Sequence, residues 1–261
     1  MRIATWNINS VRLRIHHVLR FIKEQNIDVM CLQETKTENK YFPISEFTDV
    51  GMKFHNFRGE KSYNGVAILS KIPIKNKSFE LWCGLDDTRH VSVLLENDIK
   101  IHNFYVPAGG DVPDINLNSK FNHKIKFVKE MIKYFNKVKP KKSVLVGDLN
   151  IAPYENDVWS HKQLLDVVSH TPIETELLKK LMDDVNWVDV GRKYIPKDEK
   201  LYSWWSYRNR DWKKSNRGRR LDHILVSKDL DTLLKSFLSC KVIRDWEKPS
   251  DHVPLILELS I

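Results

Sequence analysis

"SVLVGDLNIAP", residues 143–153, decides how the rest of the chain is read. Ser143 to Gly147 is a short apolar run, the pattern of a strand buried on both faces. It then meets Asp148 and Asn150. Residues i and i+2 of a strand project to the same side, so a carboxylate and an amide are expected to face one point at a sheet edge. The arrangement recurs. Asn7 closes "RIATWN", Glu34 closes "DVMCLQE", and Tyr105 lies near the end of "KIHNFYV". Two late runs are reversed: Asp222 opens "LDHILVS", and Asp251 and His252 precede "VPLILELS". With the late strands antiparallel to the early ones, starts and ends meet at the same rim. Polar groups avoid the core, so these side chains are expected to converge there.

The elements between these runs fix the fold class. Residues 12–25 read as a helix, with Ile15, Val18, Leu19 and Ile22 at i, i+3, i+4 and i+7. "GVAILS" reads as a strand, and "RHVSVLLE" with "KIHNFYV" as a hairpin turning near Asn97 and Asp98. A long helix over about 119–136 carries Phe121, Ile125, Val128, Ile132 and Phe135 as one stripe. Thr171-Pro172-Ile173-Glu174 opens another, with Thr as N-cap, Pro at N1 and Glu at N3. Strands mixed with helices, hairpins included, predict a layered α/β sandwich with mixed sheets. No linker or low-complexity tract divides the chain, so one domain over 1–261 is expected.

Composition narrows the function classes. Of 261 residues, 41% are apolar, enough for a substantial core, and the net charge of +9 favours a polyanionic partner. Three cysteines, Cys31, Cys83 and Cys240, lie far apart without C-x-x-C spacing. That argues against a disulfide framework or zinc knuckle and for a reducing compartment. Cys31, inside "VMCL", reads as buried filler. "MRIATWNINS" lacks the apolar core of a signal peptide, and no apolar run reaches the roughly 20 residues of a membrane span. The expectation is a cytoplasmic protein that engages no membrane.

Four carboxylates at one rim, Glu34, Asp148, Asp222 and Asp251, repel one another unless a cation joins them. The ligands are oxygens, so a hard ion suits them, Mg²⁺ or alternatively Mn²⁺. Tyr105, Asn150 and His252 add hydrogen-bond donors. A metal, several donors and a free carboxylate are the parts needed to hydrolyse a phosphate ester. Singly, each residue has a plainer reading: a strand-end Asp caps a turn, and Asp222 could pair with Arg219 or Arg220. Their joint placement favours the site.

The motifs "LQETK" (32–36), "NFYVPAG" (103–109), "GDLNIAP" (147–153), "YSWW" (202–205), "RRLDHIL" (219–225) and "KPSDHVP" (248–254) occur in order. Together they resemble the exonuclease III family of apurinic/apyrimidinic endonucleases, over nearly the whole chain. That family lies in the endonuclease/exonuclease/phosphatase, deoxyribonuclease I-like superfamily, and the resemblance implies its fold, a four-layered α/β sandwich of two packed sheets. It implies that Glu34 is the main metal ligand, with Asn7 and Asp251 around the ion and Asp148 and Asn150 as further candidates. Asp148 would activate or position water, and Asn150 would orient water and phosphate. His252 would contact a phosphate oxygen, Asp222 would hold His252, and Tyr105 would donate to the phosphate. Ala108 departs from relatives that carry Asn or Gln at this place, which removes a donor near the phosphate. The activity implied is Mg²⁺-dependent cleavage of DNA 5′ to abasic sites, with 3′–5′ exonuclease action and removal of 3′ blocking groups. Competing readings are a hydrolase of RNA or a small phosphate ester, and an inactive DNA-binding module.

An acidic rim places the excess positive charge elsewhere. Residues 202–220, "YSWWSYRNRDWKKSNRGRR", hold seven basic and five aromatic residues against one acid. That mixture suits phosphate contact and stacking on exposed bases or sugars. The resemblance implies that Trp204 lines the pocket for a flipped-out abasic sugar, with Trp205 beside it. Arg12, Lys36, Arg58, Arg89 and Arg217 are the candidates for gripping the backbone of a duplex with abasic sites or 3′ ends. The enzyme is expected to act as a monomer.

Overall fold

The computed structural model describes residues 1–209 and 211–261. The chain opens with β1 (Arg2–Asn7), α1 (Val11–Glu24) and β2 (Val29–Gln33), followed by α2 (Ile44–Asp49), β3 (Phe54–Glu60) and β4 (Tyr63–Ser70). Next come β5 (Ile74–Ser78), β6 (His90–Leu95), β7 (Lys100–Tyr105), α3 (Ser119–Val138) and β8 (Ser143–Asp148). Then follow α4 (His161–Leu164), α5 (Pro172–Asp183), β9 (Val188–Asp189), α6 (Val190–Tyr194), β10 (Trp204–Trp205), α7 (Trp212–Ser215) and β11 (Gly218–Arg219). The last strands are β12 (Asp222–Val226), β13 (Leu234–Ser239) and β14 (Leu255–Leu259). Two mixed sheets of six strands result, in the orders β13-β14-β1-β2-β4-β3 and β5-β6-β7-β8-β12-β9.

Alternation along the strands explains why the apolar runs are continuous. Ile3, Cys31, Val66 and Ile68 of the first sheet face Val91, Val144, Val146 and Ile224 of the second in one core. The intervening residues face outward. Trp6, Met30, Leu32 and Ala67 pack under Val18, Phe21 and Ile22 of α1. On the other side Phe104, Leu145 and Leu225 pack under Phe127, Val128 and Met131 of α3 and Leu178 and Leu181 of α5. The interior strands are therefore buried on both faces, giving the helix–sheet–sheet–helix layering. Cys31 is filler in the inter-sheet core, and burial pushes its thiol far up.

Strand direction brings the polar ends together. β12 runs antiparallel to β8 with Asp222 opposite Asp148, and β7 runs parallel to β8 with Tyr105 opposite Asp148. In the first sheet β14 runs antiparallel to β1, so the segment before β14 lies at the end of β1 that carries Asn7. One expectation needs correction. The strand ends at Asp148, and Asn150 lies beyond it with φ +53, in the left-handed region. Asn150 reaches the rim through a turn, with its backbone N–H on Asp148 Oδ1 at 3.0 Å, and not through strand alternation.

Candidate active site

The rim opens into a cleft of about 660 Å³ whose lining includes Glu34, Tyr105, Asp148, Asn150, Asp251 and His252. Asn7 and Asp222, both wholly buried, lie beneath it. Asn7 joins the two sheets. Its Nδ2 donates to Glu34 Oε1 at 2.8 Å and to Asp148 Oδ2 at 2.9 Å. Glu34 stands just past β2 with φ +50, a conformation that turns the chain out of the sheet. Burial works against its charge, but Lys36 Nζ at 2.7 Å, the Asn7 bond and His252 hold the carboxyl below its usual range.

Asp222, His252 and Asp148 form a relay. Asp222 Oδ2 accepts from Ser203 Oγ at 2.6 Å and bonds His252 Nδ1 at 2.8 Å. His252 Nε2 then lies 3.7 Å from Asp148 Oδ2. Burial opposes charge on the imidazole, yet Asp222 and Asp148 together raise its pKa well above the ordinary value. Burial raises Asp148, as do Asp222 and Glu34, while His252 and Asn7 pull the other way. The geometry thus pairs a persistent cationic donor with a carboxylate poised to take a proton. The Tyr105 hydroxyl is pushed up by burial and by Glu34 and Asp148, so it remains a donor.

Glu34, Asp148 and His252 each offer a ligand atom within 4.8 Å of the others. His252, held as an imidazolium by Asp222, is suited to donate and not to ligate. The carboxylates of Glu34 and Asp148 remain, an oxygen donor set that fits a hard divalent cation. One observation supports the fit: a cation, the Lys36 ammonium, already sits on Glu34 Oε2. Asp251 is engaged differently: Oδ1 accepts from Asn9 Nδ2 at 3.2 Å and Oδ2 from Trp204 Nε1 at 2.9 Å.

The expected DNA-contacting residues divide. Trp204 is half-buried on the cleft wall with the Arg219 guanidinium 5.5 Å from its ring centre. Arg217 is exposed at the cleft, 4.7 Å from the Trp159 ring. Arg12 is exposed beside Tyr41. Arg58 pairs with Asp86 and lies over Phe79. Three expectations change. Trp205 is 1% exposed, packed with Tyr202 and Val253, because the short β10–β11 ribbon turns it into the core. Arg89 is 6% exposed, bonded to Asp87 at 2.5 Å and stacked at 4.9 Å on Tyr105, so it braces that ring from inside. Lys36 is committed to Glu34 and to Asn9 Oδ1 at 2.6 Å. Arg220 is also spoken for, by Asp157 and Asp189, which leaves Asp222 to His252. Arg210 lies outside the described residues. Sequence reading missed Asn9 and Ser203. Asn9 stands two residues past the first strand and Ser203 inside "YSWW"; both are ordinary polar residues, and only their hydrogen bonds set them apart.

A fold of two mixed sheets with a carboxylate–histidine cleft defines a class of metal-assisted phosphoesterases. The chain belongs to the endonuclease/exonuclease/phosphatase family, whose model matches residues 4–252. It is 31% identical to exodeoxyribonuclease III of Haemophilus influenzae over 100% of both chains. It superposes on an AP endonuclease from Archaeoglobus fulgidus with TM-score 0.93 and 32% identity over 100% of both chains. A 3′ phosphatase from Neisseria bound to a product DNA hairpin gives 0.92 at 27% identity over 99% of both. Within the family this is an enzyme of the exonuclease III type, a phosphodiester hydrolase.

Proposed function

We propose that the chain is a Mg²⁺-dependent DNA-repair phosphodiesterase that cuts 5′ to abasic sites and leaves a 3′ hydroxyl. The same site trims 3′ ends of duplex DNA and removes 3′ blocking groups. The whole chain works as one domain and as a monomer in the cytoplasm. Among the described residues, no helix is long and apolar enough to cross a membrane. The observation that carries the reading is the Asp222–His252 pair aimed at Asp148 on the floor of a cleft whose wall holds Trp204, Arg208, Arg217 and Arg219.

The roles follow from the contacts. Asp148, its pKa raised, takes the proton of the attacking water. Asn150 orients that water from the adjoining turn. His252 and Tyr105 donate to the phosphate oxygens as charge builds there. Asp222 keeps His252 in one orientation and protonated. Mg²⁺ held by Glu34, with Asn7 behind it and Asp251 nearby, would supply Lewis-acid stabilisation of the phosphoryl oxygens. Trp204 forms the wall against which an extruded abasic sugar packs, and extrusion costs least where no base pair must be broken.

The test is cleavage of a duplex oligonucleotide carrying an abasic analogue, with Mg²⁺ and with excess chelator. Cutting is expected only with the metal, and Asp148→Asn is expected to lose at least about 1,000-fold in kcat. Turnover of an inositol phosphate or RNA without turnover of the abasic duplex would replace this reading.

A further inference from the structure

A second buried charge cluster lies behind the cleft, apart from the catalytic acids. Lys124, on α3, is wholly buried, and so is its partner Glu174 at the start of α5. All three ammonium protons are engaged: on Glu174, on the Asn150 carbonyl at 2.7 Å, and on the Ala108 carbonyl at 3.2 Å. Both carbonyls belong to cleft-lining residues. Asn150 is held with φ +53, and its Nδ2 donates to the Val106 carbonyl at 2.9 Å, which ties the same two loops together again. Gly109 lies against the lysine stem: a Cβ there would meet Lys124 Cδ at 2.9 Å, and its φ is +94.

Glu174 reaches the cleft from its other side. Both its oxygens accept from the Ser169 N–H, at 3.0 and 2.9 Å, and Oε2 also accepts from Thr171 Oγ1 at 2.7 Å. Ser169 lines the cleft and accepts at its Oγ from Arg219 at 2.8 Å. One buried ion pair thus anchors three cleft-forming segments, 106–110, 149–152 and 167–170, to helices behind the sheet. Burying such a pair is a weak source of stability, because well-packed apolar residues of the same volume often do as well. A positioning role explains its presence better.

We infer that Lys124 and Glu174 are positioning residues for phosphodiester cleavage. They fix the Asn150 turn and the Ala108 loop against Asp148, so that water and phosphate meet the site in one geometry. The inference rests on the proposed DNA cleavage. Ala108 has no polar side chain of its own and meets Lys124 through its backbone carbonyl.

The experiment uses the full chain, the Mg²⁺-loaded enzyme and the abasic duplex, at least about 15 °C below the lowest melting temperature of the set. The variants are Lys124→Arg, Lys124→Met and the neutral, volume-conserving pair Lys124→Met with Glu174→Gln. The double variant is expected to keep KM within about threefold and to lose 10- to 100-fold in kcat, the signature of lost transition-state geometry. Lys124→Arg is expected to recover much of that loss. Wild-type kcat in the folded double variant would overturn the inference, as would a loss confined to KM. Should the double variant fail to fold, the single variants decide: equal kcat for Lys124→Met and wild type overturns it. Failure of the wild type to cut the duplex would strike the proposed function instead, and is read separately.

Discussion

A carboxylate buried beside two others needs a partner to stay useful, and His252 is that partner for Asp148. The imidazole is in turn kept charged by Asp222, whose Oδ2 it shares with Ser203. Asp222→Asn is therefore expected to lower kcat by about 100-fold or more. It should also move the alkaline limb of the pH–rate profile to lower pH. The sign follows from the charge: removing an anion from beside an imidazolium lowers its pKa, so the donor is lost sooner as pH rises. An unmoved alkaline limb would show that His252 is not the donor being titrated. At this scale the motif residues were legible, because each sits at the end of an apolar run. Lys124 was not. It interrupts the stripe of α3 between Phe121 and Ile125, where a lysine ordinarily marks the solvent edge, and only Glu174 from a distant helix allows its burial.

The strands divide by position. The eight apolar runs recognised in the sequence are β1, β2, β4, β6, β7, β8, β12 and β14, the interior strands of both sheets. The four edge strands β3, β5, β9 and β13 passed unrecognised. An edge strand is half exposed and has one partner, so its composition is mixed and its pairing comes from a neighbour. Within β8, Gly147 is required by close approach: its φ is +141, and a Cβ would meet the Phe104 carbonyl oxygen of β7 at 1.9 Å. Gly147→Ala is expected to cost about 3 kcal/mol or more of stability by denaturant unfolding, and to lower activity with it, since Tyr105 and Asp148 share that pairing. A stability loss under about 0.5 kcal/mol would mean the two strands can part without consequence.

The second sheet also carries neutral histidines. Burial pushes His102 and His223 down to about 3, and His90 well down. The unfolded chain takes up protons below about 6.5 and the folded state does not. Stability from these groups is therefore present above that pH and falls as pH drops towards 3. For His223, which stands apart from the other two, the cost is on the order of 2 kcal/mol by pH 5. Melting temperature should fall steadily from pH 7 to pH 4.5, and His223→Gln should flatten the decline. An equal decline in that variant would assign acid sensitivity to other groups.

Over the whole molecule the charges separate. Acids gather at the cleft floor, while Arg208 and Arg217 stand at its wall and the net charge is +9. Duplex binding should weaken steeply with salt, and Arg217→Ala should reduce the slope of log Kd against log salt by about 1. Fluorescence anisotropy from 50 to 200 mM salt is the measurement, and a flat dependence would remove the basic lip from the account.

The sequence by itself determined the interior strands, the helix stripes and the polar residues that end each run, because burial on both faces and helical period are local patterns. It also carried the ordered motifs that mark the family. Only the tertiary structure decided which cations face outward. Arg89, Lys36, Arg220 and Lys124 look in sequence like surface charge, yet each meets an oxygen from a distant segment: the Tyr105 carbonyl, Asn9 Oδ1, Asp157 with Asp189, and Glu174 respectively. A charge can leave water only where a distant partner meets it, and that meeting exists only after the two sheets have packed.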